Sequence, residues 1–309
     1  MPSPAPDLSL RIRDLVLANP VGTASGTFGQ GIEFRSFYDV SRLGFVVVKT
    51  ITQEARAGNP SPRLTETPGG LLNSIGLANP GVEAYVAEVL PRLRALGAPL
   101  VINIAGHDAD GFAALAARLE REAGIDALEL NMSCPNVSGG LDFSTSAAGA
   151  RDVLRRVRDV TDRPLIAKLS PNVTDVRPIA EAAVEGGADA ISAINTLLGL
   201  AVDWRRRRPV LGRGVGGLSG PCIKPVALRV VRDIARTVSV PVIGIGGIQD
   251  ADDAVEFLLA GASAIEVGTA NFYNPRAAIE ILEGLPERFR VLGASRLADV
   301  VGTLAEPAG

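Results

Sequence analysis

The chain has 309 residues, a length that one α/β barrel fills, with 47% hydrophobic and only 4% aromatic residues. A net charge of −3 lacks the basic footprint of a nucleic-acid binder, and no run of about 18 apolar residues offers a membrane span. Two cysteines, one histidine and no CxxC argue against a metal site and a disulfide framework, and point to a reducing cytoplasm.

The opening stretch MPSPAPD, residues 1–7, is polar and Pro-rich, lacks the regions of a signal peptide, and reads as a disordered lead-in. Eight short apolar runs follow as candidate strands: 20–26, 45–50, 100–106, 127–133, 165–170, 190–195, 241–247 and 264–270. Helical patterns lie between them, among others at 111–123, 146–160, 175–187, 225–238 and 250–260. Alternating β and α implies a parallel sheet. Eight units suggest closure into a (β/α)8 TIM barrel; a doubly wound sheet is the other arrangement this alternation fits. No composition shift divides the chain, so residues 1–309 are read as one domain.

Two interruptions, 51–80 and 196–224, are rich in Gly, Pro and Asn and are expected as inserted loops at the C-terminal face of the strands. In the second, GRGVGG (212–217) matches GxGxxG on paper. It follows no strand pattern, and Pro221 interrupts what comes after, so it is read as a flexible loop. The run Arg205–Arg208 reads as a solvated face, with contact to a partner protein as the alternative.

In a barrel the active site gathers at the C-terminal ends of the strands. Those ends supply Ser25, Lys49, Thr50, Asn103, Asn131, Lys168, Asn195, Thr196, Gly246, Gly247, Gly268 and Thr269, with acidic groups nearly absent. Such a mouth suits an anionic, hydrogen-bonding ligand. Glycines after the last two strands let backbone N–H groups approach a phosphate, carried by a substrate or by a flavin mononucleotide; tight turns are their plainer use. Lys49 and Lys168 end apolar strands, and a lysine is rarely buried without a partner. Outer-edge lysines are the plainer alternative.

Cys222 reads as a small buried hydrophobe. Cys134 differs: it follows a polar strand end and precedes Pro135 and the run Ser138-Gly139-Gly140. A thiol above a ligand can serve as nucleophile or general base. His107 is read as a surface loop residue, and without a second histidine or a GxSxG elbow a hydrolase triad has little support.

These stretches resemble class 1 dihydroorotate dehydrogenases, most closely the class 1B catalytic subunit. The resemblance runs over residues 8–285 and rests on NPVGTASGTFGQG, VVKTIT, GNPSPRLTET, LLNSIGLANPG, ELNMSCPNV, AKLSPNVTD, INTLLG, GGLSGPCIKPVAL, IGIGGI and VGTANF taken together. It implies an α/β barrel that oxidises (S)-dihydroorotate to orotate with FMN, in the pathway to UMP. By resemblance, FMN meets Ser25, Lys49, Thr50, Asn103, Asn131, Lys168, Ile194, Gly220, Gly246, Gly247, Gly268 and Thr269. Substrate meets Lys49, Asn73, Ser74, Ile75, Gly76, Leu77, Asn131, Asn195 and Thr196. Cys134 aligns with the family's catalytic base. The class 1B likeness further implies a homodimeric core with two electron-transfer subunits, a heterotetramer, in which FAD and a [2Fe–2S] cluster on the partner carry electrons to NAD+. A fumarate-dependent class 1A homodimer and a dihydropyrimidine dehydrogenase-like FMN oxidoreductase are the rival readings. A tRNA-dihydrouridine synthase is disfavoured by the missing basic surface. A non-catalytic phosphate-binding barrel would leave Cys134 and both lysines unexplained.

Overall fold

A computed structural model describes residues 5–132 and 146–306. Eight parallel strands close a barrel: β1 (Val21–Thr23), β2 (Phe45–Val47), β3 (Leu100–Ile104), β4 (Ala127–Asn131), β5 (Leu165–Leu169), β6 (Ala190–Ala193), β7 (Val242–Ile245) and β8 (Ala264–Val267). Each lies beside its neighbour in sequence, and β8 pairs back onto β1. These are the eight expected apolar runs. Their Val, Ile, Leu and Ala side chains are buried on both faces, as a sheet wrapped by helices requires.

The expected helices are α1 (Ala109–Glu120), α2 (Ala147–Arg158), α3 (Arg177–Glu185), α4 (Lys224–Ala235) and α5 (Ala251–Leu259). A sixth, α6 (Ala277–Leu292), packs on α5 and β1. Their starts are written locally: Asp108 accepts from Gly111 N at 2.7 Å, and Asp250 accepts from Asp252 N and Asp253 N at 3.0 Å. The β1–β2 connection holds only short turns, at Ile32–Ser36 and Val40–Arg42, in place of a full helix.

The lead-in is tied down sooner than expected. Asp7 N donates to Ser295 O, and Leu297 N donates to Asp7 O. A hairpin, Leu10–Ile12 with Leu15–Leu17, then crosses the N-terminal end of the barrel. Its Ile12 and Leu17 join Phe45, Val47, Val101, Ala127, Ile166, Ala190, Ile243 and Ala264 in an apolar floor. Gly22 leaves the space that the Phe45 ring fills. Burying one such ring contributes roughly 1.5–3 kcal/mol.

The two long interruptions are not loose loops. They fold onto each other as a four-stranded antiparallel sheet in the order Leu197–Leu200, Val215–Ser219, Gly70–Asn73, Leu64–Thr67. GRGVGG therefore runs into a strand. A Cβ at Gly217 would overlap Thr196 Oγ1, and one at Gly216 would press on Asn73 O, so these glycines admit close backbone approach. Arg205–Arg208 sits in the adjoining hairpin, Val202–Asp203 with Arg208–Pro209, where the Arg205 guanidinium lies 4.4 Å from the centre of the exposed Trp204 ring.

Candidate active site

The inserted sheet roofs a cavity at the C-terminal ends of the barrel strands, with Leu64, Leu71, Asn73, Thr196 and Ser219 in its wall. One end is built of glycine. Gly220, Gly246 and Gly247 have φ of 106°, 127° and 79°, values that L side chains rarely adopt. A Cβ at Gly247 would stand 2.7 Å from Lys224 Cβ, and one at Gly220 2.8 Å from Gly70 Cα. Beside them Thr269 Oγ1 donates to Ser219 Oγ at 2.8 Å. This end presents backbone and hydroxyls with nothing bulky in the way, a cradle for a phosphate.

The other end is built of amides. Asn195 Nδ2 donates to Asn131 Oδ1 at 3.1 Å, and Thr196 N donates to Asn195 Oδ1 at 2.7 Å. Asn73 Nδ2 donates to Gly217 O across the sheet at 3.1 Å. Asn73, Ile75, Gly76 and Leu77 all line the cavity. Leu77 has φ of 55°, strained for a leucine, and Asn79 Nδ2 holds its carbonyl at 2.7 Å. Asn59 Nδ2 grips Ser74 Oγ at 2.9 Å.

Lys49 and Lys168 lie between the two ends, and their surroundings are opposite. The Lys49 ammonium has no hydrogen bond or ion pair among the described residues, and burial pushes its pKa below the ordinary lysine value. Lys168 is 4% exposed, and its Nζ stands 3.3 Å from both Glu129 Oε1 and Glu266 Oε2. Burial works against its charge, but the two glutamates outweigh that and hold its pKa above the ordinary value. Burial and the Glu129 charge push Glu266 well above the usual carboxylate range, with Lys168 opposing.

Most of the expected site residues meet here. Ser25, Lys49, Thr50, Asn73, Ile75, Gly76, Leu77, Asn131, Lys168, Ile194, Asn195, Thr196, Gly220, Gly246, Gly247, Gly268 and Thr269 line the one cavity. Ser74 does not; it is bonded away to Asn59. Asn103 does not either: it is fully buried one layer down, and its Nδ2 donates to Glu129 Oε1. Cys134 lies outside the described residues. His107 is exposed on its loop, as expected.

Cys222 departs from the reading given it: it is exposed. Pro221 starts a turn, Pro221–Ile223, that sends Ile223 into the core instead. The near-absence of acid holds for the rim alone. Glu129 and Glu266 sit one layer below it, each a lone charge in an apolar strand, two residues before a mouth residue and on the same face. That parity was the available signal. Ser219 and the bracing amides Asn59 and Asn79 carried none, because their role depends on pairing between distant segments.

Fold and site together define a barrel enzyme that seats a phosphate-bearing ligand beside a small amide-recognising pocket. The dihydroorotate dehydrogenase family profile matches residues 7–289, and the chain belongs to that family. It is 49% identical over 300 residues, 97% of this chain and 98% of the relative, to a "dihydroorotate dehydrogenase B (NAD(+)), catalytic subunit" of Geotalea uraniireducens. Proteins of the same name from Trichlorobacter lovleyi and Desulforudis audaxviator are each 51% identical over 97% of this chain and 99% and 98% of their own lengths. The family implies FMN, and the cavity suits it: a cradle that admits no Cβ, a half-buried ammonium with no partner among the described residues, and a second ammonium held charged. No helix among the described residues is long and apolar enough to cross a membrane.

Proposed function

We propose that the chain, as a single FMN-binding domain, oxidises (S)-dihydroorotate to orotate in pyrimidine biosynthesis. The observation that carries this reading is the presence, in one cavity, of Lys49, whose ammonium has no partner among the described residues, and the amides of Asn73, Asn131 and Asn195. Dihydroorotate is a cyclic diamide bearing a carboxylate. Lys49 balances the carboxylate. Each asparagine offers a donor and an acceptor to ring carbonyls and N–H groups. Ile194 and Leu71 help keep water from the reacting face.

Cys134, as thiolate, takes the proton from C5. When bound, FMN supplies the two-electron acceptor for the hydride leaving C6. Ser25, Thr50 and Asn131 would line its seat, Gly220, Gly246, Gly247, Gly268 and Thr269 would hold its phosphate, and Lys168 would present the positive charge that favours its reduction; all line the cavity. Electrons then pass to NAD+ through a partner subunit carrying FAD and a [2Fe–2S] cluster, in a cytoplasmic heterotetramer built on a homodimeric core. The relatives' name, a NAD+-linked catalytic subunit, supports that acceptor.

The test is anaerobic. Dihydroorotate should bleach the yellow protein within mixing, and Cys134→Ser should stay yellow but bleach about 100-fold or more slowly near neutral pH. Turnover of that variant at the native rate would remove Cys134 as the base. A colourless purified protein that takes up no FMN would end the whole reading.

A further inference from the structure

The proposed function gives no part to the two glutamates beneath Lys168. Five strands aim polar groups into this layer: Asn103 from β3, Glu129 from β4, Lys168 from β5, Ser192 from β6 and Glu266 from β8. All five are nearly or wholly inaccessible. The floor below is apolar, and Lys49 is the other charged group facing the cavity among the described residues.

The two carboxyls are not equivalent. Glu129 accepts from Asn103 Nδ2 and Lys168 Nζ on Oε1, and from Ser192 Oγ at 2.7 Å on Oε2. Three donors thus reach this carboxyl, and neither of its oxygens is left bare. Glu266 receives only Lys168 on Oε2, and no described donor reaches its buried Oε1. A buried carboxylate with a bare oxygen is costly, and two adjacent carboxylates facing one ammonium cannot both ionise without a net buried charge.

We propose that Glu129 and Glu266 hold one proton between them and that this electrically neutral layer, acting through Lys168, sets the potential felt by the cofactor above it. Both glutamates are positioning residues for Lys168. The inference rests on the FMN reading only for its second half. With one negative charge set against Lys168, the ammonium stays fixed and charged without leaving a net charge under the cofactor.

The single proton has a signature. In Glu266→Gln the layer keeps Lys168 and ionised Glu129. In Glu129→Gln, Glu266 releases the proton and takes over the negative charge. Each single variant therefore leaves the layer neutral, and the flavin midpoint potential should stay close to the parent's. The double variant leaves Lys168 alone and should shift the two-electron equilibrium about tenfold or more toward the reduced flavin, about 30 mV upward. If each single variant alone raises the potential by about half of the double's shift, both carboxylates are ionised and the proposal falls.

An infrared measurement on flavin-free protein tests the proton apart from the cofactor, and does not depend on the double variant folding. The parent should show a buried carboxylic acid C=O stretch at neutral pH that disappears in either single variant. A parent without that band overturns the proposal. A band present in a chain that binds no FMN would leave the shared proton standing and sink the cofactor reading alone.

Discussion

Lys49 and Lys168 show how one residue type takes two roles through its surroundings. Lys168 is held charged in place beside Glu129 and Glu266. Lys49 has only desolvation, which lowers its pKa, so in the free chain it loses its proton at a lower pH than an ordinary lysine does. Binding a carboxylate requires the ammonium form. Orotate affinity should therefore fall as pH rises through that depressed pKa. Lys49→Met should weaken orotate binding by about 1.5–3 kcal/mol and abolish this alkaline limb. Titrations of orotate against both proteins from neutral to alkaline pH decide it; an unchanged limb in the variant assigns it to another group. At this scale the sequence was partly legible. Lysines and asparagines at strand ends announce themselves, because a barrel puts strand ends at the mouth. Asn103 sits one layer below the rim: it lies on the inward face, and its amide meets Glu129.

Among the elements, the eight strands and five helices were written plainly, since each is a short apolar run or an amphipathic stretch, three of the helices starting at a capping Asp or Ser and the other two with a proline in the first turn. The four-stranded sheet over the mouth was not. Its strands are short, Gly-rich and drawn from segments more than a hundred residues apart, so no local periodicity reveals the pairing of Val215–Ser219 with Gly70–Asn73. Glycine there means contact. Gly217→Val would drive its side chain into Thr196, which with Asn195 forms the amide end of the cavity. The expected result is a loss of about 10- to 100-fold in kcat/KM for dihydroorotate, the cost of misplacing a positioning group by about an ångström. A fully active Gly217→Val protein would show that Thr196 has room to yield.

For the whole molecule, the sequential closure of the barrel and the hairpin beneath it matter together. Ile12 and Leu17 seal the N-terminal end with an apolar floor, while helices jacket the sides. The buried acid pair lies between this floor and the ligand cavity, beneath Lys168. Exchange with solvent is expected from the cavity side. In heavy water the carboxylic proton should be replaced quickly in the empty protein and far more slowly once orotate and FMN fill the mouth, and time-resolved infrared spectra would follow the isotope shift. An exchange rate indifferent to ligand would reveal a leak through the floor. If the floor is tight, the catalyst works with a sealed electrical ground whose charge stays constant through each turnover and resets only when the site empties.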